Sequence, residues 1–357
     1  MSHDVVVLGG GLMGRLLAYS LAVQGARVQL HDAHGPDALH SAARAAAAML
    51  APLAESAITE LPVVQMGLHA LARWPALLAT LPAPVYFQQN GTLILWHRQD
   101  QAEARRFEGL IRRTHAQLPA LPAPESLTSE GLATLEPAVA GRFAQGLYLP
   151  GEGQLDNRQL LDALLLALQQ AGVDLRWHSP IEGHDAASLR ATFPQAGQIV
   201  DCRGLGARVA WRELRGVRGE VVRLHAPGVT LQRPTRLIHP RYPIYIAPKQ
   251  DGLFVIGATE IETEDLSPAS VRSTLELLSA AYTVDSGFAE ARIVEIATQA
   301  RPTLPDNLPA LRPLGEGVLQ VNGLYRHGYL ISPAVHDAAL QWLATGESAL
   351  ARQWRLL

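Results

Sequence analysis

Three glycines near the start of the chain carry the first recognisable chemistry. Gly9, Gly11 and Gly14 stand in a G-x-G-x-x-G spacing. In that pattern the first glycine permits a tight turn and the second lets the backbone approach a diphosphate. The third lets a helix pack closely on a strand. A helix that opens on such a loop directs its free N–H groups, and the positive end of its dipole, at the anion. Asp32 follows eighteen residues after Gly14, where a carboxylate accepts hydrogen bonds from ribose hydroxyls and disfavours a 2′-phosphate. The chemistry is that of a dinucleotide without a 2′-phosphate, which NAD and FAD satisfy equally.

Such a loop works only between a strand and a helix, and the flanking residues read that way. Residues 4–8, Asp-Val-Val-Val-Leu, form a continuous apolar run of the kind found in a strand buried on both faces. Leu12, Leu16, Tyr19 and Val23 then fall on one helical stripe, Gly25 supplies a stop, and Arg27 to Asp32 reads as a second strand. Farther on, residues 85–96 are strand-like on both sides of Asn90-Gly91, a hairpin turn signal. Residues 101–136 look helical and then loop-like. A helix is expected over 157–171 with Asp156 or Asn157 as its cap, followed by short strands at 173–177 and 199–202. Segments 217–225, 236–247 and 252–258 are strand-rich, a helix opens on Ser267-Pro268 and runs to 282, strands follow at 293–298 and 318–322, and the last helix spans 333–343. The pattern predicts an α/β protein. A Rossmann-like cofactor domain is expected from residues 1–84, 141–215 and 295–357, and an α+β substrate domain with a mainly antiparallel sheet from 85–140 and 216–294.

Composition narrows the function further. The 357 residues are 48% hydrophobic and carry a formal net charge of −3, which supports a sizeable core and argues against a surface made for nucleic acid. The single cysteine, Cys202, excludes a disulfide framework and a thiolate metal cluster. No apolar run approaches the ~20 residues that span a bilayer, and the Ala-rich stretch from Ala42 to Ala51 is broken by Arg44. With no basic region before its first apolar run, the N-terminus does not read as a signal peptide. A soluble, cytoplasmic protein without a membrane span is expected, and homo-oligomerisation is left open. No metal-ligand spacing, Ser-His-Asp signature or serine-hydrolase elbow stands out, and none of the thirteen histidines is nominated as catalytic.

Three further segments choose between the dinucleotides. Ala45 to Glu55 reads AAAAMLAPLAE. Tyr245-Ile246-Ala247-Pro248-Lys249 is followed by Val255-Ile256-Gly257-Ala258-Thr259. Arg301-Pro302-Thr303-Leu304-Pro305-Asp306 is followed by Gly323 to Ala334, GLYRHGYLISPA. In this order the chain resembles the flavin-dependent glycine oxidase and D-amino-acid oxidase family, nearest to its thiamine-biosynthesis branch, over essentially its whole length. The resemblance implies FAD as cofactor. Small residues Ala46, Ala47 and Ala48, with Met49, would lie along it, and Ile181 would join them. Arg326, His327, Gly328, Tyr329 and Leu330 would meet the flavin ring, with Ser332 and Pro333 at the cap and first turn of a helix aimed at it. Cys202 is far in sequence from those segments, so the cofactor is expected to be non-covalent. Arg301 matches the family arginine that grips a substrate carboxylate with two parallel hydrogen bonds, and Tyr245 matches the tyrosine that shares it. Arg326 and Met49 would line the same pocket.

The sequence departs from the family pattern at two positions. Arg44 interrupts the small-residue segment. Glu260 stands where an apolar residue is commoner, and it is expected at the pocket edge, tuning which amine is accepted. The implied reaction is oxidative deamination of a small amino acid such as glycine to a 2-oxo acid and ammonia, with molecular oxygen as acceptor and hydrogen peroxide as product. The alternatives are an acceptor other than oxygen, a flavin-bearing module acting on a larger substrate, and an NAD-dependent dehydrogenase. The last shares Gly9 to Gly14 but leaves the Met49 and Tyr325 to Pro333 segments without a purpose.

Overall fold

A computed structural model describes residues 3–238 and 244–357. The chain opens with β1 (Val5–Leu8), α1 (Leu12–Val23) and β2 (Val28–His31), then α2 (Ala42–Ala45), β3 (Met49–Leu50), α3 (Pro52–Glu55) and α4 (Leu61–Ala79). Next come β4 (Phe87–Gln88), β5 (Thr92–Leu95), α5 (Gln101–Gln117), β6 (Glu125–Thr128), α6 (Ser129–Leu135), β7 (Gln145–Leu149), β8 (Gly153–Leu155) and α7 (Asn157–Gln170). After them follow β9 (Asp174–Arg176), α8 (Ala186–Thr192), β10 (Gln198–Asp201), β11 (Arg215–His225), β12 (Thr235–Leu237), β13 (Ile244–Pro248) and β14 (Leu253–Gly257). The chain closes with α9 (Val271–Val284), β15 (Arg292–Thr303), β16 (Ala310–Gly315), β17 (Val318–Asn322), α10 (Gly328–Thr345) and α11 (Ala349–Gln353).

Two large sheets organise these elements. One has six strands in the order β16-β17-β10-β1-β2-β9 and is parallel except for β16. All four residues of β1 are buried, as expected for a parallel strand covered on both faces. The second has eight strands in the order β15-β11-β14-β13-β12-β5-β7-β6 and is antiparallel apart from the β12–β5 pair. A small sheet of β3, β8 and β4 holds the Met49 segment in place. The mixed α/β architecture read from the sequence is present. Strand β7 pairs with β5 and β6 in the eight-stranded sheet, and so extends that sheet past residue 140. Asp156 caps α7 by accepting from the Arg158 and Gln159 N–H groups at 2.9 Å. None of the helices among the described residues is long and apolar enough to cross a membrane.

Several local expectations are overturned. Asn90-Gly91 does not close a hairpin: β4 pairs with β8 in the small sheet, whereas β5 pairs with β7 and β12 in the large one. Its turn chemistry serves a strand that changes sheets. The strand-rich reading of 236–247, by contrast, holds where it can be followed: the segment contributes to two antiparallel strands, with Thr235 opposite Ile246, and residues 239–243 of that run lie outside the described residues. Helix α9 opens at Ser270, whose side chain accepts from Ser273 N–H at 3.1 Å, and not at Ser267-Pro268. On α1 the buried face carries Leu12, Met13, Leu16, Leu17 and Leu21, while Val23 is exposed.

The correction with most consequence concerns α10. It begins at Gly328, so Ser332 and Pro333 stand inside the helix and not at its cap. Proline cannot donate to the carbonyl four residues earlier, which is that of Tyr329. Trp74 on α4 fills the gap, its Nε1–H donating to the Tyr329 carbonyl at 3.0 Å. Both side chains are buried, and α10 packs along α4. The proline is therefore accommodated by a tertiary donor, and the residues at the helix start stay in place. Replacing Trp74 by Phe keeps an aromatic ring but leaves a buried carbonyl without that donor. A loss of about 1–3 kcal/mol in stability is expected, read as a lower midpoint in urea unfolding; equal midpoints for parent and variant would contradict the role given to Trp74.

Candidate active site

A cavity of about 580 Å³ is bordered by residues of both large sheets. At one end lies the glycine loop, where the turn from β1 into α1 is tight enough to exclude side chains. Gly9 has φ +97°, and a β-carbon there would stand 2.6 Å from the Cys202 carbonyl oxygen. A β-carbon on Gly14 would lie 1.8 Å from the Gly9 carbonyl oxygen. Gly11, which precedes α1, offers no side-chain cap, so the first N–H groups of the helix are left for an anion. Asp32 borders the cavity, and its carboxylate accepts from the Gly10 N–H at 2.6 Å and the His34 N–H at 2.7 Å. Cys202 lies at this end; burial pushes its thiol pKa up, which keeps it protonated and a poor nucleophile.

The middle of the cavity is walled by small side chains. Ala46, Ala47, Ala48 and Met49 border it on one side and Ile181 on another. Their course is fixed by Lys249, whose buried ammonium donates to the Ala47 carbonyl at 2.9 Å, the Leu155 carbonyl at 2.7 Å and Gln154 Oε1 at 3.0 Å. Burial pulls that lysine down to about 7. Arg44 does not reach the lining. At the far end Arg326, His327, Gly328, Tyr329 and Leu330 border the cavity. There α10 starts, without a side-chain cap. His327 is buried, and burial, opposed by Glu55, brings it down to about 4, so its ring is neutral near pH 7.

The charged groups gather at that end. Arg326 donates from Nη1 to Glu260 Oε2 at 2.7 Å, and its Nη2 stands 3.1 Å from Glu55 Oε2. Glu55 also receives Arg236, whose Nη1 lies 3.2 Å from Glu55 Oε1 and 3.0 Å from the Ala54 carbonyl. Burial works to raise the Glu55 pKa, but Arg326 and Arg236 more than offset it and hold the group at about 2. Arg301 differs from its neighbours. Among the described residues its hydrogen-bond acceptors are the Thr259 carbonyl at 3.0 Å and the Arg218 carbonyl at 3.3 Å, and no carboxylate pairs with it. Burial lowers its pKa while the Tyr245 hydroxyl works to raise it. Burial in turn raises the Tyr245 pKa, against the pull of Arg301. A half-buried guanidinium whose partners are carbonyls can still bind an anion bidentately.

Of the residues singled out in the sequence, Gly9, Gly11, Asp32, Ala46 to Met49, Ile181, Tyr245, Glu260, Arg301 and Arg326 to Leu330 all border this one cavity. Gly14 sits behind it, in the strand–helix contact. Sequence reasoning did not nominate Glu55, Arg236 or Glu152. Glu55 closes the Met-Leu-Ala-Pro segment and could have been noticed there; Arg236 and Glu152 have no local signal. Glu152 is buried, and its Oε1 accepts from the Ala54 N–H at 2.8 Å. That bond caps the short helix α3, which presents Glu55.

The family model described as DAO, FAD dependent oxidoreductase, matches residues 4–340. The chain is 37% identical over 348 residues to a putative thiamine biosynthesis oxidoreductase, ThiO, of Rhizobium etli, with 96% of each chain covered. It is 26% identical over 351 residues to a glycine oxidase of Geobacillus kaustophilus, covering 93% of this chain and 90% of that one. A crystal structure of glycine oxidase from the same organism superposes with a TM-score of 0.84 at 26% identity, covering 100% of this chain and 98% of the other.

Glu152 gives the site framework a pH signature. Burial raises its pKa from 4.5 to about 7, against the lowering effect of the Ala54 N–H. A carboxyl whose pKa is raised on folding favours the fold fully below about 4.5, and that contribution is lost as pH climbs through about 7. Glutamine at this position still offers an oxygen to Ala54 but cannot ionise. The stability of Glu152→Gln relative to the parent should therefore rise over that interval, by up to about 1.4 kcal/mol per pH unit. Denaturant unfolding across the range checks this, and a pH-independent difference would contradict it.

Proposed function

Because the chain belongs to the DAO family of FAD dependent oxidoreductases, we propose that it oxidises glycine or a similarly small amino acid to the imino acid, which water converts to a 2-oxo acid and ammonia. Dioxygen takes the two electrons and becomes hydrogen peroxide. The observation that carries this reading is Arg301, a half-buried guanidinium in the cavity wall whose partners among the described residues are carbonyls, standing with Tyr245.

Bound FAD, held without a covalent link, supplies the two-electron acceptor for the substrate Cα–H bond. The residues present fit it. The loop N–H groups and uncapped start of α1 receive its diphosphate, Asp32 its ribose hydroxyls, and Ala46 to Ala48 leave room along its length. The N-terminal end of α10, at the far end of the cavity, favours negative charge there through its dipole. Arg301 and Tyr245 clamp the substrate carboxylate, which fixes the orientation of Cα. Met49 and Arg326 complete the pocket wall. No side chain is assigned as a base, since an amine that arrives neutral supplies its own lone pair as the C=N bond forms. Glu260 and Arg326 form an ion pair at the edge of the pocket, with Glu260 about a third exposed (36%). A substrate larger than glycine must fit beside that pair, so Glu260 sets which amine is admitted. Similarity to the Rhizobium etli protein supports a place in thiamine biosynthesis.

Purified protein assayed for peroxide release against glycine, sarcosine, D-amino acids and proline tests the reaction. Turnover of at least one small amino acid is expected, and no peroxide from any of them would contradict it. Arg301→Ala removes the clamp. Truncating one partner of a buried charged pair costs about 2–5 kcal/mol, so kcat/KM should fall roughly 30- to 5,000-fold. FAD content should be unchanged. Equal kcat/KM in the parent and variant would remove Arg301 from the site.

A further inference from the structure

Arg15 directly follows the third glycine of the phosphate loop, and its side chain is fully buried. Its guanidinium donates three hydrogen bonds, all to backbone carbonyls: Nε to Gly10 at 2.7 Å, Nη1 to Leu161 at 2.7 Å and Nη2 to Pro36 at 2.6 Å. The Trp177 ring lies 5.5 Å away under the cation. Asp32 and Asp162 favour its charge only at a distance, and burial lowers its pKa. Buried charges are costly unless a counter-charge meets them. Here, among the described residues, carbonyl dipoles and the Trp177 ring meet it at close range and no carboxylate pairs with it directly.

The partner that gives this arrangement meaning is Gly10. Its N–H is held by Asp32 Oδ2 at 2.6 Å and its carbonyl by Arg15 Nε. The two peptide units that flank the Gly10 Cα are thus held, one by an anion and the other by a cation, while Gly10 borders the cavity. A β-carbon on Gly10 would lie 2.6 Å from the Trp177 ring, so the same aromatic that stacks on Arg15 also limits where Gly10 can go. Pro36, a third contact, belongs to the segment just after Asp32. One side chain therefore ties together the glycine loop, the turn after β2 and helix α7.

We propose that Arg15 is a positioning residue for the cofactor diphosphate: from behind the loop, outside the cavity lining, it locks the Gly10 backbone in place and adds a positive charge that favours an anion at the loop. The inference rests on FAD as the ligand and is independent of which amino acid is oxidised. By linkage, a charge that favours the bound anion makes binding tighter and makes the bound protein more stable than the apoprotein by a larger margin.

The test uses full-length apoprotein titrated with FAD by flavin fluorescence, together with the shift in melting temperature that saturating FAD produces. Arg15→Met, which removes the charge, should bind FAD at least about tenfold more weakly and show a smaller FAD-induced shift. Arg15→Lys, which keeps the charge and can still reach one carbonyl, should stay within about threefold of the parent. If Arg15→Met does not fold, Arg15→Gln takes its place, with a donor and no charge. Parental affinity in the uncharged variant would overturn the proposal. So would a lysine variant as weak as the uncharged one, because Arg15 would then be a packing element alone. A parent apoprotein that binds no FAD would overturn the ligand assignment, and this role with it.

Discussion

The close approach of α1 to β1 is the constraint on which the rest depends. A β-carbon on Gly14 would stand 1.8 Å from the Gly9 carbonyl oxygen, so glycine alone allows the helix to start so near the strand. That contact points the first turn of α1 along the end of the six-stranded sheet. It also puts Gly10 within reach of Asp32 on one side and Arg15 on the other. The phosphate end of the cavity follows from these few atoms. The remaining elements extend the space from there: the small sheet carries Met49, and the eight-stranded sheet carries Tyr245 and Arg301.

Electrostatics divides the far end into satisfied and available charge. Glu55 is shared by Arg236 and Arg326, and Glu260 is paired with Arg326. These contacts offset the cost of gathering Arg236, Arg326 and Glu55 away from solvent, with Glu260 at the exposed edge. Arg301 is left outside the exchange, bonded among the described residues to carbonyls, and is the guanidinium proposed to receive an incoming carboxylate. The Glu152 cap on α3 and the Trp74 bond to the Tyr329 carbonyl do not touch the cavity space in this arrangement. They fix the two segments, Pro52–Glu55 and the start of α10, that bring Glu55 and Arg326 together.

Much of this was legible in the sequence because it is local. The β1–α1–β2 unit, the Asp156 cap and the small-residue wall all depend on neighbours within a few positions. The cavity-lining residues could be named because they lie in contiguous segments that resemble a family. What could not be read depends on contacts between distant segments. Asn90-Gly91 carries a hairpin signal, but pairing partners far along the chain pull its two strands into different sheets. Pro333 reads as a helix start because its usual cost inside a helix is high; nothing near it in sequence reveals that Trp74 supplies the missing donor. Arg236 and Glu152 look like ordinary charged residues until the fold buries them beside Glu55 and Ala54. Arg15 looks like a helix-surface arginine until the loops close over it.

In the proposed reaction this cavity brings a small amino acid, anchored by its carboxylate, to a bound FAD. Anaerobic addition of glycine and other small amino acids to the FAD-loaded protein, followed in the visible flavin absorbance, tests it most directly. At least one of them should bleach the oxidised flavin band without oxygen present, and the band should return when air is admitted. A band that none of these amino acids bleaches would contradict the account.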